Sequence, residues 1–159
     1  MLRSRVHAIR RQGVEGDMNK CIMVAVMLAA LIPGLAIAGD SPAPDGAKVY
    51  FIWPSDGATI KGGKFWIRFG LRNMGIAPAG TDKKYTGHHH LIIDGQLPPF
   101  DEEIPADNHH VHYGKGYSEG RVALTPGKHT LQLLFADHNH IPHNPPVFSK
   151  QITVYVPAN

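Results

Sequence analysis

Hydrophobic and polar residues alternate with a period of two along several short segments of this chain. In residues 64–71 (KFWIRFGL) the aliphatic and phenylalanine positions alternate with Trp66, Arg68 and Gly70, as in a strand with one buried face. The same pattern occurs in residues 131–135 and 152–156. Further strands are predicted at residues 49–53, 88–93 and 121–124.

Turn-forming residues separate these segments, and no helical period of useful length follows residue 38. Six or seven short strands predict an all-β fold, specifically an immunoglobulin-like antiparallel β-sandwich. The connections at residues 73–87 and 97–108 are longer than ordinary hairpin loops. Such long loops on a rigid scaffold are where binding residues tend to lie.

Residues 1–38 follow a different pattern, that of a secretory signal peptide. An almost unbroken apolar run at residues 21–35 follows Asn19 and Lys20 and ends in the sequence Ala36-Ile37-Ala38. We therefore predict cleavage near Ala38 and a periplasmic or secreted bacterial protein. An uncleaved membrane anchor is the alternative, but a spanning helix needs about 20 apolar residues.

The remaining boundaries follow from this cleavage site. Residues 1–17 precede a well-proportioned signal peptide and are interpreted as an upstream extension. Residues 39–46 (GDSPAPDG) have the composition of a linker, and residues 47–157 form the predicted domain. We predict no membrane span after cleavage.

Removing the leader changes the charge and the sulfur content. It takes away five of the 16 basic and two of the 13 acidic residues, which leaves 11 of each. Nucleic acid is therefore not an expected partner, because binding it needs a clustered positive surface. Cys21, the single cysteine, and four of the five methionines also lie in the leader, so the mature chain has no thiolate ligand.

Ten of the eleven histidines lie within residues 88–143. Nine of them form three groups that each contain a His-x-His pair, and His129 stands apart. On an extended backbone residues i and i+2 project from the same face, so one strand can offer two imidazoles to one ion. We expect three or four ligands per ion. The candidate metal ligands are His88, His90, His110, His112, His138, His140 and His143.

Strand parity predicts where two of these pairs point. If Leu91 enters the core, His88 and His90 point away from it. If the strand at residues 131–135 stays extended, His138 and His140 also lie opposite the core face.

Three further residues belong to this interpretation. Asp94 and Asp137 stand next to histidine pairs, and we consider them candidates to accept hydrogen bonds from ligand imidazoles and so orient their N–H groups. Formation of strand-end turns is an equally good explanation of both. His129 has the parity of the core residues and is expected to cap a buried strand end.

The ligand type indicates the metal. Imidazole suits Cu(II), Zn(II) and Ni(II), and the affinity order favours copper, with zinc second. Proton sensing by clustered imidazoles and a histidine-rich surface without function are the alternatives.

These observations favour a periplasmic copper carrier, buffer or chaperone. No Ser-His-Asp order and no paired carboxylates stand out, so an enzyme is less favoured. A metal-dependent redox or hydrolytic enzyme that uses the same histidines remains an alternative. A third possibility is a binding module of the cell envelope that recognises another protein without a metal.

Four segments resemble a known family: residues 69–80 (FGLRNMGIAPAG), 87–94 (GHHHLIID), 110–120 (HVHYGKGYSEG) and 128–156. Over residues 49–156 the sequence is similar to the DUF4399 family of bacterial secreted proteins. The resemblance implies no mechanism, because the function of that family is not known. The histidine-bearing segments are themselves among the matching motifs, which fits a role beyond packing.

Overall fold

The computed structural model describes residues 39–158, which form ten β-strands and no helix. The predicted signal peptide and its cleavage site lie outside the described residues. The chain contains no helix in residues 39–158 that could cross a bilayer. The strands are β1 (Lys48–Trp53), β2 (Ala58–Thr59), β3 (Lys64–Arg72), β4 (Gly75–Ile76), β5 (Thr86–Ile93), β6 (His110–His112), β7 (Glu119–Ala123), β8 (Gly127–Ala136), β9 (Pro142–Phe148) and β10 (Ile152–Val156).

The strands form two sheets. The smaller sheet has the order β1-β3-β7 and is antiparallel throughout. The larger sheet has the order β2-β10-β8-β5-β4, with β6 also paired to β5 and β9 also paired to β8. The all-β prediction is confirmed. Three of the ten strands have only two or three residues, so seven longer strands remain, within the predicted number.

A hydrophobic core contains side chains from both sheets. Ile67 and Phe69 of β3 belong to it together with Leu91 of β5 and Leu133 and Phe135 of β8. Trp66 and Arg68, which alternate with these β3 positions, are exposed. The predicted period of two is therefore confirmed in β3, because one face of the strand is buried and the other is solvated.

The other face of β5 and β8 is also covered. Ile92 and Leu134 are buried there in a second, smaller hydrophobic cluster with Ile104. Leu97 and Phe100 pack against the same cluster. The long connection after β5 therefore lies across the outer face of the larger sheet, which the sequence pattern predicted to be solvated.

Four strands were not predicted from the sequence: β9, and β2, β4 and β6, which have only two or three residues each. β9 contains Pro142, Pro145 and Pro146, which cannot donate backbone hydrogen bonds, and such residues are confined to edge strands. β9 pairs along one side with β8, and on its other side Asn144 forms a bridge with Pro42. Residues 39–46, interpreted as a linker, therefore contact the domain. β6 was missed because three residues are too short for a periodic signal.

Candidate metal centre

β5 carries His88 and His90 on its outer face. Both side chains are buried, and their Nε2 atoms lie 3.0 Å apart. Strand geometry causes this approach, since side chains two residues apart on an extended backbone lie on the same face. The prediction that both point away from Leu91 is confirmed, because Leu91 belongs to the core between the sheets.

β6 adds a third imidazole. The antiparallel register of β5 and β6 places His112 directly opposite His90. The ring centroid of His112 lies 5.0 Å from that of His90 and 4.9 Å from that of His88. Each of the three residues offers one ring nitrogen, and these three nitrogens lie within 4.8 Å of one another.

The fourth imidazole comes from the turn that follows β8. His140 has a φ of 65°, and its ring centroid lies 4.7 Å from that of His112 and 5.0 Å from that of His88. The Ile104 N–H donates a hydrogen bond of 3.0 Å to the His140 carbonyl, which ties this turn to the covering loop. His88, His90, His112 and His140 are called the four-histidine cluster below.

Asp137 organises the turn that presents His140. Its Oδ1 accepts hydrogen bonds from the backbone N–H groups of Asn139 at 2.9 Å and Ile141 at 3.0 Å. Its Oδ2 accepts a bond of 2.6 Å from the Ser41 hydroxyl. These contacts correspond to the turn-forming role that the sequence left open for Asp137.

Burial favours the uncharged form of three imidazoles of the cluster, those of His88, His90 and His112. Desolvation, followed by repulsion from the imidazoles of His112 and His140, lowers the pKa of His88 to about 4. For His90, desolvation and then repulsion from the neighbouring imidazoles lower the pKa to about 2. The pKa of His112 is also lowered, by burial and then by His140. Neutral imidazoles keep a free lone pair, as metal ligation requires.

Several ring nitrogens in and near the cluster lack partners. Among the described residues, Nδ1 of His88, Nδ1 of His90 and Nε2 of His110 are buried without a hydrogen bond. Buried polar groups normally find a partner, and an unmatched donor or acceptor costs about 1–3 kcal/mol. The ring nitrogens of this region are therefore incompletely satisfied by the protein itself.

The distance between the two Nε2 atoms is compatible with ligation of one ion. Imidazole nitrogens bind zinc at about 2.0–2.1 Å, so two ligands of a tetrahedral site are separated by roughly 3.3 Å. The observed 3.0 Å between His88 and His90 is close to that separation. Small side-chain rotations would adjust it.

A cleft of about 400 Å³ adjoins the cluster. His90, His112 and His140 line one part of it, and Glu103 and Asp107 line another. The Nδ1 atom of His140 lies 3.7 Å from a carboxylate oxygen of Glu103. The contact of Glu103 with His140 depends on the fold of the loop that carries Glu103.

The remaining candidate ligands lie outside the cluster. His110 faces the cleft, but its Nδ1 is hydrogen-bonded to Asp107 at 2.8 Å. His138 does not follow the parity prediction, because β8 ends at Ala136 and a turn replaces the extended strand. Its Nδ1 lies 3.8 Å from a carboxylate oxygen of Asp82.

His143 and His89 belong to the core side of the larger sheet. His143 is buried against Phe135, with ring centroids 5.7 Å apart, and neither of its nitrogens has a partner among residues 39–158. Burial lowers the pKa of His143. His89 packs between Phe69 and Phe135 and donates from Nδ1 to the Tyr117 carbonyl at 3.2 Å. The middle residue of the triple histidine therefore contributes to the core.

Asp94 contacts an imidazole that is not in the cluster. Its Oδ2 accepts a hydrogen bond of 2.6 Å from Nδ1 of His129, and its Oδ1 accepts one of 2.7 Å from the Thr130 N–H. The second ring nitrogen of His129 meets the Thr125 carbonyl at 2.8 Å. Both nitrogens of His129 therefore have partners, as expected for a residue that caps a strand end.

Comparison with models of protein families gives a match. A family model described as a domain of unknown function, DUF4399, matches residues 67–157, which is more than half of the chain. No curated protein matches the sequence. The matched region contains all four residues of the four-histidine cluster and begins later than residue 49, where the resemblance was placed from the sequence. The chain belongs to the DUF4399 family.

Proposed function

We propose that this protein binds a transition-metal ion through the four-histidine cluster. The observation that carries the proposal is the convergence of His88, His90 and His112, whose ring nitrogens lie within 4.8 Å of one another. His88 and His90 are buried, and His112 is exposed at the edge of the group. His140 supplies a fourth imidazole beside them. Buried imidazoles that are neutral and poor in hydrogen bonds are poised to accept a metal ion.

The donor set indicates copper as Cu(II), with zinc as the second choice. All four ligands would be imidazole nitrogens, which suit both ions, and the affinity order places copper above zinc. No cysteine follows Cys21, so a thiolate cannot contribute once the leader is removed. The proposed role is that of a copper carrier, buffer or chaperone in the periplasm, after export and cleavage near Ala38. We also propose that the two sheets pack against each other as an immunoglobulin-like β-sandwich.

Metal analysis and titration calorimetry test the proposal. Mature protein without an affinity tag should contain copper or zinc after purification from the periplasm. The metal-free protein should bind one equivalent of Cu(II) more tightly than micromolar. His88→Gln and His112→Gln should each weaken this affinity by at least an order of magnitude, whereas His138→Gln, outside the cluster, should leave it unchanged. Absence of tight binding of Cu(II), Zn(II) or Ni(II) would refute the proposal.

A second candidate function is catalysis at the same metal. It is favoured by the cleft of about 400 Å³, which gives a small molecule access to His90, His112 and His140. An open coordination position there would hold water or substrate. Spectra of the copper-loaded protein with and without azide distinguish the roles: an exchangeable ligand position supports an enzyme, and a saturated protein shell supports a carrier.

The third candidate, an envelope module that works without a metal, predicts a different result. Its partner binding would survive replacement of the histidines of the cluster by glutamine. The same variants therefore separate this function from the two that need a metal.

A further inference from the structure

A second and larger cleft lies between the smaller sheet and the segment that joins β6 to β7. Its volume is about 820 Å³, within the range of about 300–1,000 Å³ that small-molecule sites commonly have. Trp66 of β3 and Tyr117 of the joining segment line it. Their side chains are 50% and 53% exposed, so two large aromatic surfaces face solvent in one concavity.

The position of Trp66 follows from the alternation in β3. Because Ile67 enters the core, Trp66 points outward, where the register pairs it with Arg121 of β7. The Arg121 guanidinium lies 5.7 Å from the centre of the Trp66 ring. The cation therefore lies over one face of the Trp66 ring on the wall of the cleft.

Tyr113 lines the same cleft and carries an unmatched polar group. Its side chain is buried, and its hydroxyl has no hydrogen-bond partner among the described residues. The absence of a side chain at Gly120 is required here, since an added Cβ would overlap the Tyr113 ring. A buried hydroxyl without a partner is unusual, and a bound molecule could supply one.

The charge of the cleft is positive. Lys115 and Arg121 line it together with Glu119, but the Glu119 carboxylate is paired with Arg68 at 3.3 Å. Among the described residues, neither Lys115 nor Arg121 has a carboxylate within salt-bridge distance. An anionic group bound beside Trp66 would therefore meet cations that no acidic side chain neutralises.

We propose that this cleft binds a small aromatic carboxylate, with its ring against Trp66 and its carboxylate at Arg121. Lys115 adds to the positive potential, and Tyr117 supplies a second aromatic surface. His112 lines this cleft as well as the cleft of the four-histidine cluster, so the ligand would lie next to the proposed metal centre. The proposal does not require the metal, because the binding groups named here are outside the cluster.

Tryptophan fluorescence of the metal-free mature protein tests this site. The chain has two tryptophans, so Trp53→Phe leaves Trp66 as the single reporter. Benzoate should change its fluorescence in a saturable manner, and benzyl alcohol, which has the same ring without the charge, should bind at least tenfold more weakly. Arg121→Gln should weaken benzoate binding about tenfold, equivalent to about 1.4 kcal/mol. Arg72→Gln, an exposed change at the end of β3, should have no effect.

Calorimetry with Trp66→Leu provides the second test and should show loss of benzoate binding. Equal affinities for benzoate and benzyl alcohol, or an Arg121→Gln affinity equal to that of the parent, would overturn the proposal. So would the absence of any saturable change with benzoate at millimolar concentration. Cu(II) titration of Arg121→Gln should match that of the unmodified protein, so the failure of either site is visible independently of the other.

Discussion

The Nε2 atoms of His88 and His90 lie 3.0 Å apart on a face of β5 that is covered by the loop after that strand. This contact joins two neutral imidazoles, because burial lowers the pKa of both residues. One ring donates and the other accepts, which leaves their Nδ1 atoms without partners among the described residues. The pair is therefore better suited to ligand binding than to stabilising the metal-free fold.

The first prediction concerns the balance between stability and binding. Replacing both residues, as His88→Leu/His90→Leu, should leave the free energy of unfolding of the metal-free protein within about 1 kcal/mol of the parent, because both hydrogen-bonding partners are removed together. The rise in melting temperature caused by Cu(II) should disappear. In the parent, metal at about 100 times its dissociation constant should add about 2.7 kcal/mol. A large loss of stability with an unchanged response to Cu(II) would assign the pair a structural role.

The second prediction concerns Gly114, which lies directly beside the His112 ring. An added Cβ would overlap that ring, so Gly114→Ala should displace His112 and weaken metal affinity at least tenfold. Gly75→Ala is the matched control, because its added Cβ would approach no atom more closely than the methyl group of Thr86 at 3.1 Å. Calorimetric titration of both variants measures the effect. Equal metal affinities in the two variants would show that His112 is not a ligand.

The third prediction concerns Asp137, which holds the turn before β9. Asp137→Ala removes the acceptor of three hydrogen bonds and should lower the free energy of unfolding by about 2–3 kcal/mol. It should also weaken metal binding, since His140 loses its fixed position. Asp137→Asn keeps one carbonyl oxygen and should restore much of both properties. Urea unfolding and Cu(II) titration are the measurements, and full metal affinity in Asp137→Ala would exclude His140 from the site.

The fourth prediction is a pH dependence that arises from Asp94 and His129. Partial burial opposes both charges, but the hydrogen bonds that Asp94 accepts from His129 and Thr130 lower its pKa below 3.8. For His129, the bonds to Asp94 and to the Thr125 carbonyl outweigh burial and raise its pKa above 6.5. The contribution of His129 to the free energy of unfolding is complete below pH 6.5 and is lost as the pH rises through its raised pKa. The contribution of Asp94 is complete above pH 3.8 and is lost as the pH falls through its lowered pKa.

The pair should therefore stabilise the fold most between about pH 4 and pH 6.5. Asp94 is partly solvated, so the charge-dependent part should stay below about 1 kcal/mol. Urea unfolding of the parent and of Asp94→Asn near pH 5.5 and near pH 9 measures this part. The difference in free energy of unfolding between the two proteins should be larger near pH 5.5. A difference that does not vary with pH would contradict the assignment.

The sequence alone determined the all-β class, the direction of the β3 side chains and the shared face of His88 and His90. These features are local, because an extended backbone fixes the relation between residues i and i+2. The predicted site also included His138, whose place depended on β8 remaining extended. β8 ends at Ala136, and the bonds of Asp137 form a turn there instead.

The tertiary structure decided which histidines meet. The register of β5 with β6 brings His112 to His90, and the turn at Asp137 brings His140 to both strands. Burial of His88 and His90 depends on the loop that contains Ile104, which covers a sheet face that the alternation assigned to solvent. Such contacts join residues far apart in the chain, and their geometry depends on packing between elements that a local pattern does not encode.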